Sequence, residues 1–318
     1  MVSRGGAERR SKLRPKRRRA PGRESIDVRT SDGWSLRAEV REPDDECVGT
    51  AVLAHAMMAR RSEFDRPPGG GLSRLLGERG WRVVAFDFRA HGDSGPAVHD
   101  GGRYAYDDLV ARDLPAIHAF ARDRSRGREP VVLVGHSLGG HTGLAAQGAG
   151  LVAFDALVTI AANVWLRELE PSPPRWLLKR ASLRAAVALC RRVGRFPARV
   201  LRLGSDDESL ACFEDFDRFA RSGAWTSADG RLDYLSGLDR IRAPVMQIVS
   251  DGDRFECAPE CGARFVSRCG GRPEVWRVGA GHDGSRPLSH MGLVTSHDAR
   301  PCWTRAEAWL RGVLRVPA

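Results

Sequence analysis

The sequence lacks any long apolar run. No stretch of about 18 uninterrupted apolar residues is present, so no transmembrane segment is predicted. The first arginines are not followed by the apolar segment of a secretory signal, and we therefore expect a cytoplasmic protein. The seven cysteines are an odd number. Without an export signal they are expected to be free and mostly buried, which excludes a disulfide framework.

Zinc-binding spacing is also missing. Cys257, Cys261 and Cys269 lie close together in the sequence, but their spacing matches no common zinc pattern. A helix beginning near Ala258 would place Cys257 and Cys261 on one face as packing residues. We therefore expect no metal site at these cysteines. The sequence also contains no apparent internal repeat.

Positive charge is concentrated in one stretch. The net charge is +11, and residues 1–24 hold ten Lys or Arg against two Glu, which leaves only +3 on the remainder. This stretch has almost no large apolar residues and cannot bury enough surface to offset its ordering entropy. It is predicted to be a disordered basic tail. One interpretation of this tail is weak, salt-sensitive binding of anions. Specific binding of nucleic acid is not expected.

Residues 25–318 have the pattern of an α/β domain. Residues 25–42 alternate polar and apolar around Ser31–Trp34 and predict a β-hairpin with an Asp-Gly turn. Six apolar runs are predicted strands: 50–56, 81–88, 130–135, 155–162, 244–250 and 274–279. Helical patterns lie at 71–79, 107–123, 138–148, 259–268 and 302–314. Continuous apolar strands are buried on both faces, which predicts a mostly parallel central sheet with helices on both faces.

One interval breaks this alternation. About 80 residues, 163–241, separate the fourth and fifth predicted strands, and apolar residues recur in them at helical spacing. A structureless loop of that length is uncommon in a domain. The interval is therefore predicted to be a helical cap or lid insertion.

The stretch VVLVGHSLGG, residues 131–140, predicts a strand, a tight turn and a helix around Ser137. So sharp a turn strains the serine backbone and leaves no room for neighbouring side chains, which gives Gly135 and Gly139 a steric role. This context is typical of a nucleophile elbow, which exposes the hydroxyl above the sheet. Ser137 is the candidate nucleophile.

A serine hydroxyl needs a base to accept its proton and an acid group to orient that base. The fifth predicted strand ends in two carboxylates. Asp253 is favoured as the acid because the loop has turned over the sheet edge there, and Asp251 is the alternative. Two histidines follow the sixth strand. We favour His290, which precedes the closing helix, and keep His282 as the alternative.

Acyl transfer also requires backbone donors for the developing oxyanion. The amide of Leu138, at the start of a helix, is one candidate. The other is expected in the loop AHAMM after the first of the six strands, where Met57 is best placed.

These motifs resemble those of the α/β-hydrolase superfamily over nearly all of residues 25–318. GHSLGG is similar to its nucleophile elbow, DFRAHGDSG (87–95) to its D-x-R-G-x-G-x-S segment, and AHAMM to its oxyanion loop. The order Ser137, Asp253, His290 matches the order of its triad. The overall pattern is most similar to bacterial serine hydrolases of poorly defined substrate with a helical cap.

The sequence departs from the family at two positions. Ala56 replaces the glycine usual in the oxyanion loop, and Ala90 replaces the glycine of the R-G-x-G segment. An unstrained alanine takes a negative φ, so we expect negative φ at both positions and a loop geometry that differs from the family's.

The resemblance implies a serine hydrolase that cleaves a carboxylic ester or related acyl bond through an acyl-enzyme. Its partner would be a small-molecule acyl substrate, and it would need no metal and no cofactor. An acyltransferase using the same residues is one alternative, and a non-catalytic binding protein on the same fold is another. The sequence leaves the substrate and the oligomeric state open.

Overall fold

The computed structural model describes residues 22–43, 46–125, 127 and 129–316. The predicted basic tail, residues 1–24, lies outside these ranges except for its last three residues. The first strand already begins at Arg23, two residues before the predicted start of the folded domain.

The described strands form one large sheet and one small one. They are β1 (Arg23–Arg29), β2 (Ser35–Arg41), β3 (Gly49–Ala54), β4 (Trp81–Phe86), β5 (Val131–His136), β6 (Ala156–Ile160), β7 (Arg195–Phe196), β8 (Glu208–Ser209), β9 (Val245–Ser250) and β10 (Glu274–Val278). The large sheet has the order β1-β2-β4-β3-β5-β6-β9-β10. β1 and β2 form the predicted hairpin, β2 pairs antiparallel with β4, and the other neighbours are parallel.

The described α-helices follow the strands in the order expected for an α/β fold. They are α1 (Leu72–Glu78), α2 (Tyr106–Asp108), α3 (Leu114–Ser125), α4 (Leu138–Gly148), α5 (Pro173–Val193), α6 (Leu210–Ser222), α7 (Tyr234–Gly237), α8 (Pro259–Val266), α9 (Gly292–Thr295) and α10 (Arg300–Leu314). A π-helical turn at Leu109–Asp113 joins α2 to α3. None of the helices in the described ranges combines the length and the apolar character needed to cross a membrane.

Helices cover both faces of the sheet. Successive side chains of a strand point to opposite faces, so each strand contributes to two separate cores. In β3, Val52 belongs to a core cluster with Ile117 of α3 and Leu144 of α4. Its neighbour Leu53 belongs to a second cluster with Leu75 of α1 and residues of α10. Apolar residues at every strand position are therefore what this sandwich of helices, sheet and helices requires.

The predicted fold class, α/β with a mostly parallel sheet covered on both faces, is confirmed. Each of the six predicted strands is present with its ends within two residues of the predicted bounds. The five helical patterns likewise end within two residues of the predicted bounds, and α4 matches at both ends.

The chain between β6 and β9, residues 161–244, is called here the β6–β9 segment. It contains the helices α5, α6 and α7 and the short antiparallel pair β7 and β8. Leu183 and Val187 of α5 pack with Phe213 of α6 in a separate small core.

Candidate active site

Ser137 lies between the end of β5 and the start of α4. Its backbone has φ 49° and ψ −111°, and its N–H donates to the carbonyl of Ile160 at 2.8 Å. A positive φ is costly for a residue with a side chain and persists only where the surrounding structure imposes it. The turn thus holds the Ser137 side chain at the carboxyl edge of the sheet.

The two glycines flanking this turn permit close backbone contact. A Cβ added at Gly135 would lie 2.6 Å from the carbonyl group of Gly139. One added at Gly139 would overlap the carbonyl of Ala54 at the end of β3. Because both positions are free of side chains, the first turn of α4 packs directly against β5 and β3.

Asp253 and His290 form a buried pair at the same edge of the sheet. Nδ1 of His290 lies 2.5 Å from Oδ2 of Asp253, and the Asp253 side chain is fully buried. The amide of Cys257 donates to the other oxygen, Oδ1, at 3.0 Å. The loop after β9 thus supplies a fixed carboxylate, and the chain after β10 brings the imidazole to it.

Asp253 and His290 each change the pKa of the other. Burial opposes the charged form of His290, but the hydrogen bond and charge of Asp253 outweigh it and raise the pKa of His290 above its usual value. Burial also opposes ionisation of Asp253, and the hydrogen bond and charge of His290 outweigh it, so the pKa of Asp253 is lowered. Asp253 is therefore ionised and positioned to stabilise an imidazolium.

His290 lies next to the turn that holds Ser137. The ring of His136, the residue before Ser137, has its centroid 5.0 Å from that of His290. Within the described residues the Ser137 hydroxyl and His290 are not hydrogen-bonded to each other; such a bond commonly tightens only when substrate is bound. The elbow and the pair nevertheless share one edge of the sheet.

The two alternative residues lie elsewhere. Oδ2 of Asp251 is 4.0 Å from Nε2 of His282, whose side chain is 42% exposed. Oδ1 of Asp251 instead accepts from Nε of Arg277 at 2.6 Å. The structure thus brings Asp253 to His290 and leaves His282 at the surface.

Two backbone amides near the turn at Ser137 lack an acceptor among the described residues. Within the described residues, the N–H groups of Met57 and Leu138 have no hydrogen-bond partner, whereas Gly139 donates to the carbonyl of His55 at 3.1 Å. That bond ties the loop after β3 to the first turn of α4. The two free donors therefore lie on two adjoining pieces of backbone beside Ser137.

Two buried glutamates support this loop, and neither was predicted from the sequence. Oε1 of Glu63 accepts from the amide of Ala56 and from Nδ1 of His136, each at 3.1 Å. Glu63 thus ties the residue before Met57 to the residue before Ser137. Its position in the sequence has no motif that would mark it, because its partners come from other parts of the chain.

Glu208 fixes the same loop from the β6–β9 segment. It accepts from the amide of Met58 and lies 3.0 Å from Nε2 of His91, and Tyr104 donates to its other oxygen. Burial opposes the charged form of His91, but the Glu208 carboxylate outweighs it and raises the pKa of His91. The neighbouring Asp206 accepts from Arg60 in the same loop. The segment is therefore connected to the oxyanion-loop candidate by hydrogen bonds to the carboxylates of Glu208 and Asp206.

The expectation of negative φ is wrong for Ala90, which has φ 62°, while Ala56 is not among the residues with positive φ. The turn itself imposes this conformation. The amide of Ala90 donates to the carbonyl of Ser94 at 2.9 Å, and the guanidinium of the preceding Arg89 is held by Asp113 at 2.7 Å. These contacts offset the small cost of the left-handed region for alanine.

One group of side chains has donors spaced closely enough for a metal. Donor atoms of Asp253, Glu256 and His290 lie within 4.8 Å of one another. The buried Asp253 and the partly buried His290 already bind each other, and Glu256 is exposed. This arrangement is a hydrogen-bonded acid and base with an adjacent carboxylate.

The chain is similar to known proteins both in sequence pattern and in fold. The sequence model of the alpha/beta hydrolase family matches residues 51–295. An esterase from Pyrococcus furiosus, PF2001, superposes with a TM-score of 0.60 at 16% identity over 92% of each chain. A complex of DcsB with its substrate analogue gives 0.63 at 13% identity, over 92% of this chain and 100% of that one.

A thermophilic esterase from Thermogutta terrifontis gives a TM-score of 0.56 at 16% identity over 92% of this chain and 99% of that one. At such identities the superpositions show a shared fold. No curated protein matches the sequence.

Proposed function

Because the chain belongs to the alpha/beta hydrolase family, we propose that it is a serine hydrolase that cleaves a carboxylic ester or related acyl bond through an acyl-enzyme. The observation that carries the proposal is the buried pair of Asp253 and His290 beside the strained turn at Ser137. This is the set of groups that nucleophilic acyl transfer requires.

In the first half-reaction Ser137 attacks the acyl carbon while Nε2 of His290 accepts the hydroxyl proton. Nε2 is the basic nitrogen because Nδ1 is held by Asp253. The imidazolium is stabilised by the ionised Asp253 and returns its proton to the leaving alcohol as the carbon–oxygen bond breaks. In the second half-reaction His290 accepts a proton from water as the water attacks the acyl carbon. The imidazolium then returns this proton to Oγ of Ser137 as the carbon–Oγ bond breaks, which releases the acid and regenerates the free serine.

The amides of Met57 and Leu138 bind the oxyanion of each tetrahedral intermediate. Both lack an acceptor within the described ranges, as donors reserved for a ligand must. A donor of this kind lowers the barrier by about 3 kcal/mol. Glu63 and Glu208 are positioning residues here, because they hold the amides on either side of Met57.

The β6–β9 segment acts as the cap over this edge in the proposal. Its Trp165 donates to the carbonyl of Glu256 at 3.0 Å, close to Asp253, and its Glu208 holds the amide of Met58. Because it touches the loops on two sides of Ser137, the segment is placed to shape the acyl pocket and so to select the substrate.

Two measurements test the proposal: covalent labelling of the protein by a serine-reactive probe and hydrolysis of an ester substrate. The wild-type protein should react with a fluorophosphonate probe and hydrolyse short p-nitrophenyl esters. Ser137→Ala should abolish both and keep the thermal melt of the wild type, because the side chain lies in a turn and not in the core. Ser267→Ala, an exposed serine at the end of α8, is the matched control and should retain both activities. Full activity of Ser137→Ala would refute the proposal.

A further inference from the structure

Exposed large apolar side chains are concentrated in one stretch of the chain. Nine are found in the described ranges, and six of them lie between residues 173 and 203, although this stretch is about one tenth of the chain. The six are Leu177, Leu178, Val193, Val200, Leu201 and Leu203. Scattered exposed apolar residues need no explanation, but a concentration of them marks an interaction surface.

The helix α5 contributes an apolar outer face. At 100° per residue, its exposed positions 174, 177, 178, 181, 185 and 188 fall on one side, and they are Pro, Leu, Leu, Ala, Ala and Ala. The opposite side packs inward through Leu183 and Val187. The exposed Arg184 borders this side of the helix, and Arg192 follows on the same side one turn after Ala188. The helix thus presents an apolar stripe flanked by arginines, which is unusual for a surface helix and indicates a partner.

The loop after β7 contributes the second apolar group. Val200 is 76% exposed and Leu203 is 63% exposed. The loop is not free to fold these side chains inward, because Ser205, two residues after Leu203, donates to the carbonyl of Met58 at 2.7 Å. The apolar side chains of the loop are thus held outward, next to the candidate oxyanion loop.

The same stretch is strongly basic. Residues 171–204 contain nine Lys or Arg and no Asp or Glu. Several of these cations are paired, as Arg180 is with Asp217 and Arg191 with Glu214. Arg184, Arg192 and Arg202 are exposed and form no ion pair with any described residue.

We propose that residues 173–203 form a docking surface for an anionic lipid bilayer. Apolar side chains inserted at the depth of the headgroups, with arginines on the lipid phosphates and carboxylates, are the combination that holds a helix in a membrane interface. The charge argues against two other occupants. A second copy seated on the same face would bring like charges together, and nucleic acid offers no partner for a row of leucines. Docking does not require Ser137, so it is independent of the proposed reaction.

The test is co-sedimentation of the full chain with vesicles of phosphatidylcholine alone or of phosphatidylcholine mixed with phosphatidylserine. The wild type should bind the mixed vesicles more tightly. Leu177→Ser with Leu178→Ser, and separately Val200→Ser, Leu201→Ser and Leu203→Ser together, should each lower the partition coefficient at least about tenfold. Replacing two arginines, Arg192→Gln with Arg202→Gln, should lower binding to mixed vesicles by about tenfold and leave binding to neutral ones unchanged.

The control variant is Leu151→Ser with Val275→Ser, which removes two exposed apolar side chains outside the segment and should bind as the wild type does. The basic residues 1–24 are the same in all variants, so any electrostatic binding through them is common to all variants and sensitive to salt. Equal binding of the wild type to both vesicle types would overturn the proposal, as would undiminished binding by either apolar variant. So would a wild-type dimer in gel filtration that Leu177→Ser with Leu178→Ser converts to a monomer.

Discussion

Two pairs of aspartate and histidine follow the same two strands and differ in their surroundings. Asp253 and His290 are 2.5 Å apart, with the aspartate side chain fully buried and the histidine side chain 13% exposed. Asp251 and His282 are 4.0 Å apart, and their side chains are 26% and 42% exposed. The two aspartates are separated by one residue, and both strands end at the same edge of the sheet.

Local environment decides what each pair can do. The Asp251 carboxylate is bound by Arg277, and water screens its attraction for His282, so it does not orient that ring. Asp253 is shielded from water and has His290 and the Cys257 amide as its partners, which strengthens each interaction. An acid and base for catalysis therefore need a buried carboxylate in addition to the right residue types.

Replacing each of the two histidines separately by alanine should give the largest difference between the two pairs. His290→Ala should lower kcat/KM for a p-nitrophenyl ester by about 10⁵-fold, because in the proposed reaction Ser137 loses its base. His282→Ala should change it by less than about twofold, since its ring is exposed and weakly bound. Steady-state kinetics of the two variants beside the wild type measures both effects.

Thermal melts complete this experiment. Both variants should unfold within a few degrees of the wild type, because neither ring lies in the apolar core. A larger loss of activity in His282→Ala than in His290→Ala would mean that His282 of the exposed pair is the general base.

The aspartates give a smaller effect with a pH signature. Asp253→Asn should lower kcat/KM by about 10⁴-fold, since the ring loses its orienting acceptor and the charge that stabilises the imidazolium. His290 must be neutral to act as a base, so wild-type activity should fall as the pH drops through its raised pKa, with a midpoint above 6.5. In Asp253→Asn the pKa of His290 falls, and the residual activity should persist to lower pH.

The matched variant is Asp251→Asn. It should keep the wild-type rate and the wild-type midpoint, because Asp251 is directed to Arg277. If its pH profile moved as far as that of Asp253→Asn, the two aspartates would be equivalent and the contrast between the pairs would be lost.

The fold could be predicted closely because its information is local. The runs at 81–88 and 244–250 are mostly apolar and do not alternate with polar residues, which is the pattern of a strand covered on both faces. The Asp-Gly turn of the hairpin and the flanking glycines of Ser137 are likewise local. The φ of Ala90 was mispredicted because the conformation is set by hydrogen bonds across the turn, which outweigh the preference of alanine.

The site could be predicted only as far as residue type and order. Sequence alone left His282 and His290 open, because the choice depends on which loop folds back over Asp253. Glu63 and Glu208 could not be found, since the amides that they hold lie 7 and 150 residues away in the sequence. Contacts of that kind follow from the assembled structure and have no pattern within a window of the chain.

A third carboxylate near His290 combines features of both pairs. Glu256 lies close to Asp253 and His290, as a member of the buried pair would, but its side chain is exposed, as those of Asp251 and His282 are. After the larger influence of Asp253, the charge of Glu256 also raises the pKa of His290. Exposure weakens that influence through screening by water and salt.

Glu256→Gln should therefore produce the smallest effect. The midpoint of the pH profile of kcat/KM should fall by about 0.3 pH units, and the rate at high pH should stay within about twofold of the wild type. The backbone contact from Trp165 remains, because it uses the Glu256 carbonyl. The shift should disappear at high salt, where the charge of Glu256 is screened but the direct bond from His290 to Asp253 is not. A shift of a full unit that persists in salt would mean that Glu256 is a bonded partner of His290, and burial alone would then no longer distinguish the pairs.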